Sequence, residues 1–244
     1  MIRKVVVISL LALFLCSSAL RAEEAPRDPY KILLNSYEAL GGLEALKAES
    51  TMYVEASVYV MGMNGKMIQW TKKPCYSRGE IHIKEFYEIQ SNNCEFLWST
   101  SLVHPEPEIK DDQATLTRIR LDKYVADYEF MIPSSDIFSL SYEGISTFDN
   151  TDFYLVKVTN TINADYILTY IDTTTFLCGK TIEVEYDPYK KTITVGSDYR
   201  ELHGILRAMC QEITELPVNQ TITFRIIKCD VDIPVDDSLF YPPD

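Results

Sequence analysis

The sequence is short of the residue types on which most catalytic and metal sites depend. Its three histidines, His82, His104 and His203, include no pair at metal-ligand spacing, and neither HExxH nor His-x-His occurs. A zinc or other histidine-based metal site is therefore not expected. No GxSxG elbow, no SxxK and no cysteine in a protease-like context is present, which removes the common nucleophile arrangements. Only nine glycines occur, and none builds a glycine-rich strand-to-helix turn with a lysine. Gly41-Gly42 thus reads as a helix stop, not as a phosphate loop. Basic residues are scarce as well, 23 against 36 acidic, for a net charge of −13. A surface of that sign is repelled by nucleic acid and by anionic headgroups, so no nucleic-acid partner is expected. Beyond the N-terminus no segment approaches the ~18 consecutive apolar residues of a membrane-spanning helix. With so many acids, pairs such as Asp111-Asp112 and Asp236-Asp237 read as solvated loop charges. No catalytic residue and no cofactor is assigned, and the chain is not read as an enzyme.

What is present begins with a leader. Arg3 and Lys4 precede an apolar run from Val5 to Cys16, broken only by Ser9, and small residues follow. This is the layout of a secretory signal peptide over residues 1–22, with cleavage after Ala22 or, alternatively, after Ala19. Cys16 does not read as a lipid-attachment cysteine, because Leu15 stands where a small residue is needed. About 222 residues then remain, with 20 basic against 36 acidic and a net charge of −16. No linker, repeat or low-complexity tract divides them, so residues 23–244 are read as a single domain. Five cysteines survive cleavage: Cys75, Cys94, Cys178, Cys210 and Cys229. An oxidising compartment allows disulfides, but an odd count leaves at least one thiol over. Spacing leaves two disulfides and a set of buried thiols equally open.

Along the chain, Asp28 caps a helix that starts at Pro29 and stops at Gly41-Gly42, with Ile32, Leu33, Tyr37 and Leu40 on one face. A short turn of helix, Leu43 to Lys47, follows. The period then changes to two: Met52, Val54, Ala56, Val58 and Val60 alternate with Tyr53, Glu55, Ser57 and Tyr59. Asn64-Gly65 gives a hairpin signal before a strand from Lys66 to Thr71. Further strands are read over 81–89, 95–99, 153–158, 166–171, 176–186, 192–195, 205–214 and 221–227. Asn92-Asn93, Asp187-Pro188, Leu216-Pro217 and Asn219 mark connections. The middle, 112–124 and 134–140, lacks clean alternation; Asp112 and Ser134 can each cap a helix, and one or two short helices are read there. The fold class is mainly β within α+β: one antiparallel meander in a curved sheet, with helices on its concave side. Trp70 and Trp98, the only tryptophans, are candidates to line or rim an apolar hollow. The sixteen tyrosines carry apolar area with a polar tip and suit half-exposed strand faces.

Four segments together resemble the LolA/LolB-like superfamily, the outer-membrane lipoprotein-sorting type. They are Tyr37 to Leu46 (YEALGGLEAL), Lys72-Lys73-Pro74 with Arg78 and Glu80, Asn93 to Trp98 (NCEFLW), and Val235 to Pro243 (VDDSLFYPP). Their order spans most of the chain after the leader. The resemblance implies an unclosed half-barrel with short helices plugging its concave side, and a periplasmic location. It also implies a hollow that carries or binds a lipid or lipoprotein acyl chain between inner and outer membrane. Membrane-associated donor and acceptor proteins are the implied partners. The candidate lipid-binding lining is Met52, Val54, Val58, Val60, Phe96, Trp98, Ile182, Val184, Ile222, Phe224 and Ile226. The candidate lid is Ile32, Leu33 and Tyr37, with Lys73 as its latch. Lys73 stands where the carriers often have an arginine, and it offers a point charge in place of a planar fork. The other reading is a periplasmic sensor or interaction module of the same fold that binds a protein partner.

Overall fold

A long antiparallel meander follows from the repeated period-two segments, and the structure builds it as one sheet of thirteen strands. The computed structural model describes residues 27–186 and 189–243. The expected signal peptide, 1–22, and the Asp187-Pro188 connection lie outside the described residues. The chain opens with α1 (Pro29–Leu40) and α2 (Leu43–Ala48). Six strands follow: β1 (Thr51–Val60), β2 (Met63–Lys72), β3 (Tyr76–Ile83), β4 (Phe86–Asn92), β5 (Leu97–Ser101) and β6 (Glu108–Lys110). After α3 (Gln113–Ala126) and a 3-10 turn, Glu129–Met131, come seven more. These are β7 (Phe138–Phe148), β8 (Thr151–Asn160), β9 (Tyr166–Asp172), β10 (Cys178–Tyr186), β11 (Tyr189–Leu202), β12 (Ile205–Leu216) and β13 (Gln220–Val231). A second 3-10 turn, Asp237–Phe240, lies in the C-terminal segment.

Two meanders meet in the middle of this sheet. Its order is β6-β5-β4-β3-β2-β1-β13-β12-β11-β10-β9-β8-β7, so β1 pairs with β13 and the free edges are β6 and β7. No pairing joins the edges, and the barrel stays unclosed. The connection between them carries α3. The β1–β13 seam is extended by Ser50, whose N–H donates to Asp232 Oδ1 at 2.8 Å, and by Thr51 Oγ1, which donates to the Ile233 carbonyl at 2.8 Å.

The first helix forms as its caps dictate. Asp28 accepts a hydrogen bond from the Tyr30 N–H at 3.0 Å, and the Gly41 and Gly42 N–H groups close on Glu38 and Tyr37 carbonyls. Gly41 has φ 127°, and a Cβ there would meet the Gly204 carbonyl oxygen at 2.5 Å. Glycine therefore both ends the helix and lets it touch the β11–β12 turn. Ile32 and Leu33 bury against Tyr154, Val156 and Ile171 of β8 and β9.

Three local readings are corrected. The first hairpin turns at Met61-Gly62, both at positive φ, while Asn64-Gly65 lies inside β2. Gly65 sits opposite Val58 and Ile83, and a Cβ there would meet Ile83 Cγ1 at 2.5 Å. It is a close-approach glycine, not a turn residue. The run 81–89 is two strands, β3 and β4, joined at Lys84-Glu85. The helix expected from Ser134 is absent: the Ser135 hydroxyl accepts from the Ile137 and Phe138 N–H groups and starts β7 instead. Of the cysteines, Cys75 and Cys94 form a disulfide, and Cys178, Cys210 and Cys229 are free thiols.

Candidate functional site

Period-two alternation puts every second side chain of a strand on one face, and residues opposite each other in register share that face. Along the seam the register pairs Val58 with Phe224 and Val60 with Ile222, then Val60 with Met63, Ala56 with Met67, and Met67 with Ile81. Val58, Val60 and Ile83 form a buried floor, Val58 only 1% exposed. Met63, Met67, Ile81, Ile222 and Phe224 pack on that floor and stay partly exposed. The concave side thus carries an apolar surface drawn from β1, β2, β3 and β13.

The candidate lining divides accordingly. Met52, Val54, Val58, Val60, Ile222, Phe224 and Ile226 take concave positions by register. Met52 lies toward the far end, with its sulfur 3.8 Å from Arg207 Nη1. Ile182 and Val184 do not join them. They pair with Leu168 and Tyr166 on one side and with Ile193 and Lys191 on the other, which is the convex face. Lysine stems shelter that face: Lys180 lies over the Tyr170 ring at 4.6 Å and Lys157 over Tyr166 at 4.2 Å. The concave positions of β10 belong to Thr181 and Glu183.

Trp98 is also convex, and it serves the C-terminal segment. Its Nε1 donates to the Phe240 carbonyl at 2.7 Å, which also accepts from Ser91 Oγ at 3.0 Å. Arg78 donates to the Leu239 carbonyl at 3.0 Å and lies over the Trp98 ring at 5.3 Å. Lys72 Nζ reaches the Val235 carbonyl at 3.0 Å and Asp237 at 2.5 Å. Phe96 packs edge-on against Tyr241. Three of the sequence segments singled out above converge here, as a clasp on the C-terminal segment and not as a cavity wall. Residues missing from the candidate lining were Met63, Met67, Ile81 and Ile83. Their signal was hidden by the misplaced hairpin at Asn64-Gly65 and by reading β3 and β4 as one strand.

Of the candidate lid residues, Tyr37 and Lys73 both pack on Tyr128, whereas Ile32 and Leu33 lie on β8 and β9. Tyr37 stacks edge-on against Tyr128 at 5.6 Å, and Lys73 lies over the Tyr128 ring at 5.8 Å. Lys73 Nζ donates to the Lys47 carbonyl at 2.5 Å, at the C-terminal end of α2. Burial first, and then Tyr128 and Cys178, push the Tyr37 hydroxyl pKa well above its ordinary value. Burial likewise raises the Cys178 thiol to about 11, which leaves it an inert thiol at neutral pH. Between α1, α2 and residues 127–132 runs an open groove of about 470 Å³, lined in part by Leu34, Leu43, Met131 and Ile132.

α3 lies across the concave side, capped by Asp112, which accepts from the Ala114 and Thr115 N–H groups. Asn92 of β4 donates to Asp122 at 3.4 Å, and Arg118 acts electrostatically on both Asp122 and Glu183 of β10. The concave face is therefore two-sided, apolar along β13-β1-β2-β3 and polar at β10. Burial, with a smaller push from Glu185, raises the Glu183 carboxyl above its ordinary 4.5, against the pull of Arg118 and Lys190. A carboxyl raised on folding binds more protons in the native chain, so stability falls as pH climbs from about 4.5 through the raised value. Glu183→Gln is accordingly expected to raise Tm slightly at pH 7, an effect reduced by the side chain's exposure, and to leave it unchanged well below pH 4.5. Thermal melts of both proteins across that range check this.

Solved structures share this architecture. A DUF1329 family protein from Desulfovibrio piger superposes with a TM-score of 0.54 at 12% identity, over 87% of this chain and 95% of its own. A LolA superfamily protein from Nitrosomonas europaea gives 0.54 at 10%, over 87% and 97%. A putative outer membrane lipoprotein-sorting protein domain from Vibrio parahaemolyticus gives 0.53 at 6%, over 86% and 95%. No family model and no curated protein matches the sequence. The likeness is one of fold, and the fold is LolA-like.

Proposed function

Proceeding from a LolA-like fold, we propose that this protein is a periplasmic carrier or binder of a lipid or lipoprotein acyl chain. The observation that carries the reading is the half-exposed apolar surface of Met63, Met67, Ile81, Ile222 and Phe224 inside the hollow. Each methylene moved out of water is worth about 0.8 kcal/mol, so a long acyl chain needs such a surface to cross an aqueous space. Methionine suits it, since an unbranched thioether adapts to a flexible cargo. α3 and the α1–α2 pair, latched by Lys73 on one carbonyl, are the elements that move to admit the chain. Membrane-associated donor and acceptor proteins complete the cycle.

The test is native mass spectrometry with organic extraction of the purified protein, followed by titration with a fluorescent fatty-acyl probe in vesicle-free solution. A bound lipid or saturable uptake is the expected result. Phe224→Asp is expected to weaken uptake more than tenfold, because it buries a carboxylate against the chain. An empty protein that takes up no probe defeats the reading. A stoichiometric envelope protein bound in place of lipid would favour the partner-binding alternative.

A further inference from the structure

In an antiparallel meander, alternate turns fall at the same end of the sheet. Six connections lie at one end: β1–β2, β3–β4, β5–β6, β8–β9, β10–β11 and β12–β13. Each has an exposed large apolar side chain within it or, for β3–β4 and β10–β11, at the first residue of the strand that follows. In that order they are Met61 (76% exposed), Phe86, Val103 (73%), Ile162, Tyr189 (61%) and Val218 (72%). The five hairpin turns at the other end, residues 73–75, 93–96, 149–150, 173–177 and 203–204, hold none among the described residues. Phe148, at the end of β7, lies flat on Phe153 at 4.3 Å.

Single exposed apolar residues are ordinary on a soluble protein. Their recurrence in or beside every turn at one end, against Phe148 alone beside the turns of the other among the described residues, is not. We propose that this rim rests on a lipid bilayer surface, with the six tips dipping into the interface. The inference rests on the acyl-chain reading and deepens it by naming the surface from which the hollow is filled.

Two features select a bilayer over a protein partner. The tips project from separate hairpins, and a fluid interface accommodates each of them independently, where a protein partner requires one contiguous, complementary patch. The apolar surface of the hollow also runs to this rim. Val60 and Met63 flank the β1–β2 turn, Ile83 precedes the β3–β4 turn, and Ile222 stands two residues inside β13. An acyl chain leaving the bilayer there meets apolar side chains along its path. The net charge of −13 directs the rim to zwitterionic lipid rather than to anionic headgroups.

Flotation of the purified protein with phosphatidylcholine vesicles tests this. The protein is expected to float with the vesicles, and Val103→Asp/Val218→Asp to lower the bound fraction at least tenfold. Asn150→Asp/Thr174→Asp adds the same charge at the other end and is expected to leave binding unchanged. Adding phosphatidylglycerol to the vesicles is expected to weaken binding. A wild-type chain that stays in solution, a rim variant that floats equally well, or a soluble envelope protein found covering the tips would overturn the proposal. Acyl-probe uptake is read without vesicles, so the carrier reading and the rim proposal fail separately.

Discussion

Replacing Trp98 by alanine is expected to cost about 3–5 kcal/mol of stability, a fall in Tm of roughly 10 °C. The side chain is 1% exposed and does three things at once. It fills the space beneath the C-terminal segment, donates to the Phe240 carbonyl at 2.7 Å, and offers its ring to Arg78 at 5.3 Å. Alanine leaves a cavity and releases the segment that Arg78, Ser91 and Lys72 also hold. Trp98→Phe separates the terms. It keeps much of the volume, and the Phe240 carbonyl retains Ser91 Oγ, so the loss is expected to shrink to about 1–2 kcal/mol. Urea unfolding of the three proteins measures both steps. Equal stability of wild type and Trp98→Ala would mean that the clasp on the C-terminal segment contributes nothing.

A comparable loss is expected at the Glu49–Arg207 pair, where α2 leads into β1. Both side chains are largely buried, 16% and 14% exposed, and Arg207 Nη2 donates to Glu49 Oε1. Arg207 Nε has no hydrogen-bond partner among the described residues, so Glu49 supplies most of its compensation. Glu49→Ala strands a buried guanidinium, and such removals cost about 3–5 kcal/mol. Removing both charges is a different matter. Glu49→Leu/Arg207→Met replaces two desolvated ions by apolar groups beside Met52 and Cys229, and it is expected to fall within about 1 kcal/mol of wild type. A double-mutant cycle by thermal or urea unfolding checks the difference. A double variant as unstable as Glu49→Ala would show that the site depends on the hydrogen-bond geometry and not on charge compensation.

The parts of the fold legible in the sequence are those whose cause is local. Asp28, Pro29 and Gly41-Gly42 bound α1 as read, because capping and helix termination act within a turn of chain. Asp112 caps α3 for the same reason. The alternation from Met52 to Val60 is β1. Where two local solutions compete, the sequence misleads. Ser135 hydrogen-bonds the two N–H groups ahead of it whether it opens a helix or a turn, so its region reads as a helix while the chain begins β7. Asn64-Gly65 has the composition of a hairpin turn, yet the packing of Gly65 against Ile83 takes it into β2 and moves the turn to Met61-Gly62. Met61 then accepts a φ of 50° that methionine rarely adopts.

The site divides the same way. That Val58, Val60, Ile222 and Phe224 belong to apolar strand faces is written in their alternation, because a one-residue period change would expose them all. Which faces meet is not written there. Ile182 and Val184 alternate as cleanly as Val58 and Val60, yet they fall on the convex face, while Glu183 takes the concave one. Trp98 leaves the lining for the C-terminal clasp more than 140 residues away in sequence, at Phe240. The sequence alone therefore determined the period of β1 and the caps of α1 and α3, each set by neighbours along the chain. The closure of β13 on β1 decided the rest. Only that long-range pairing says which face curves inward, which strands contribute to one surface, and which turns share a rim.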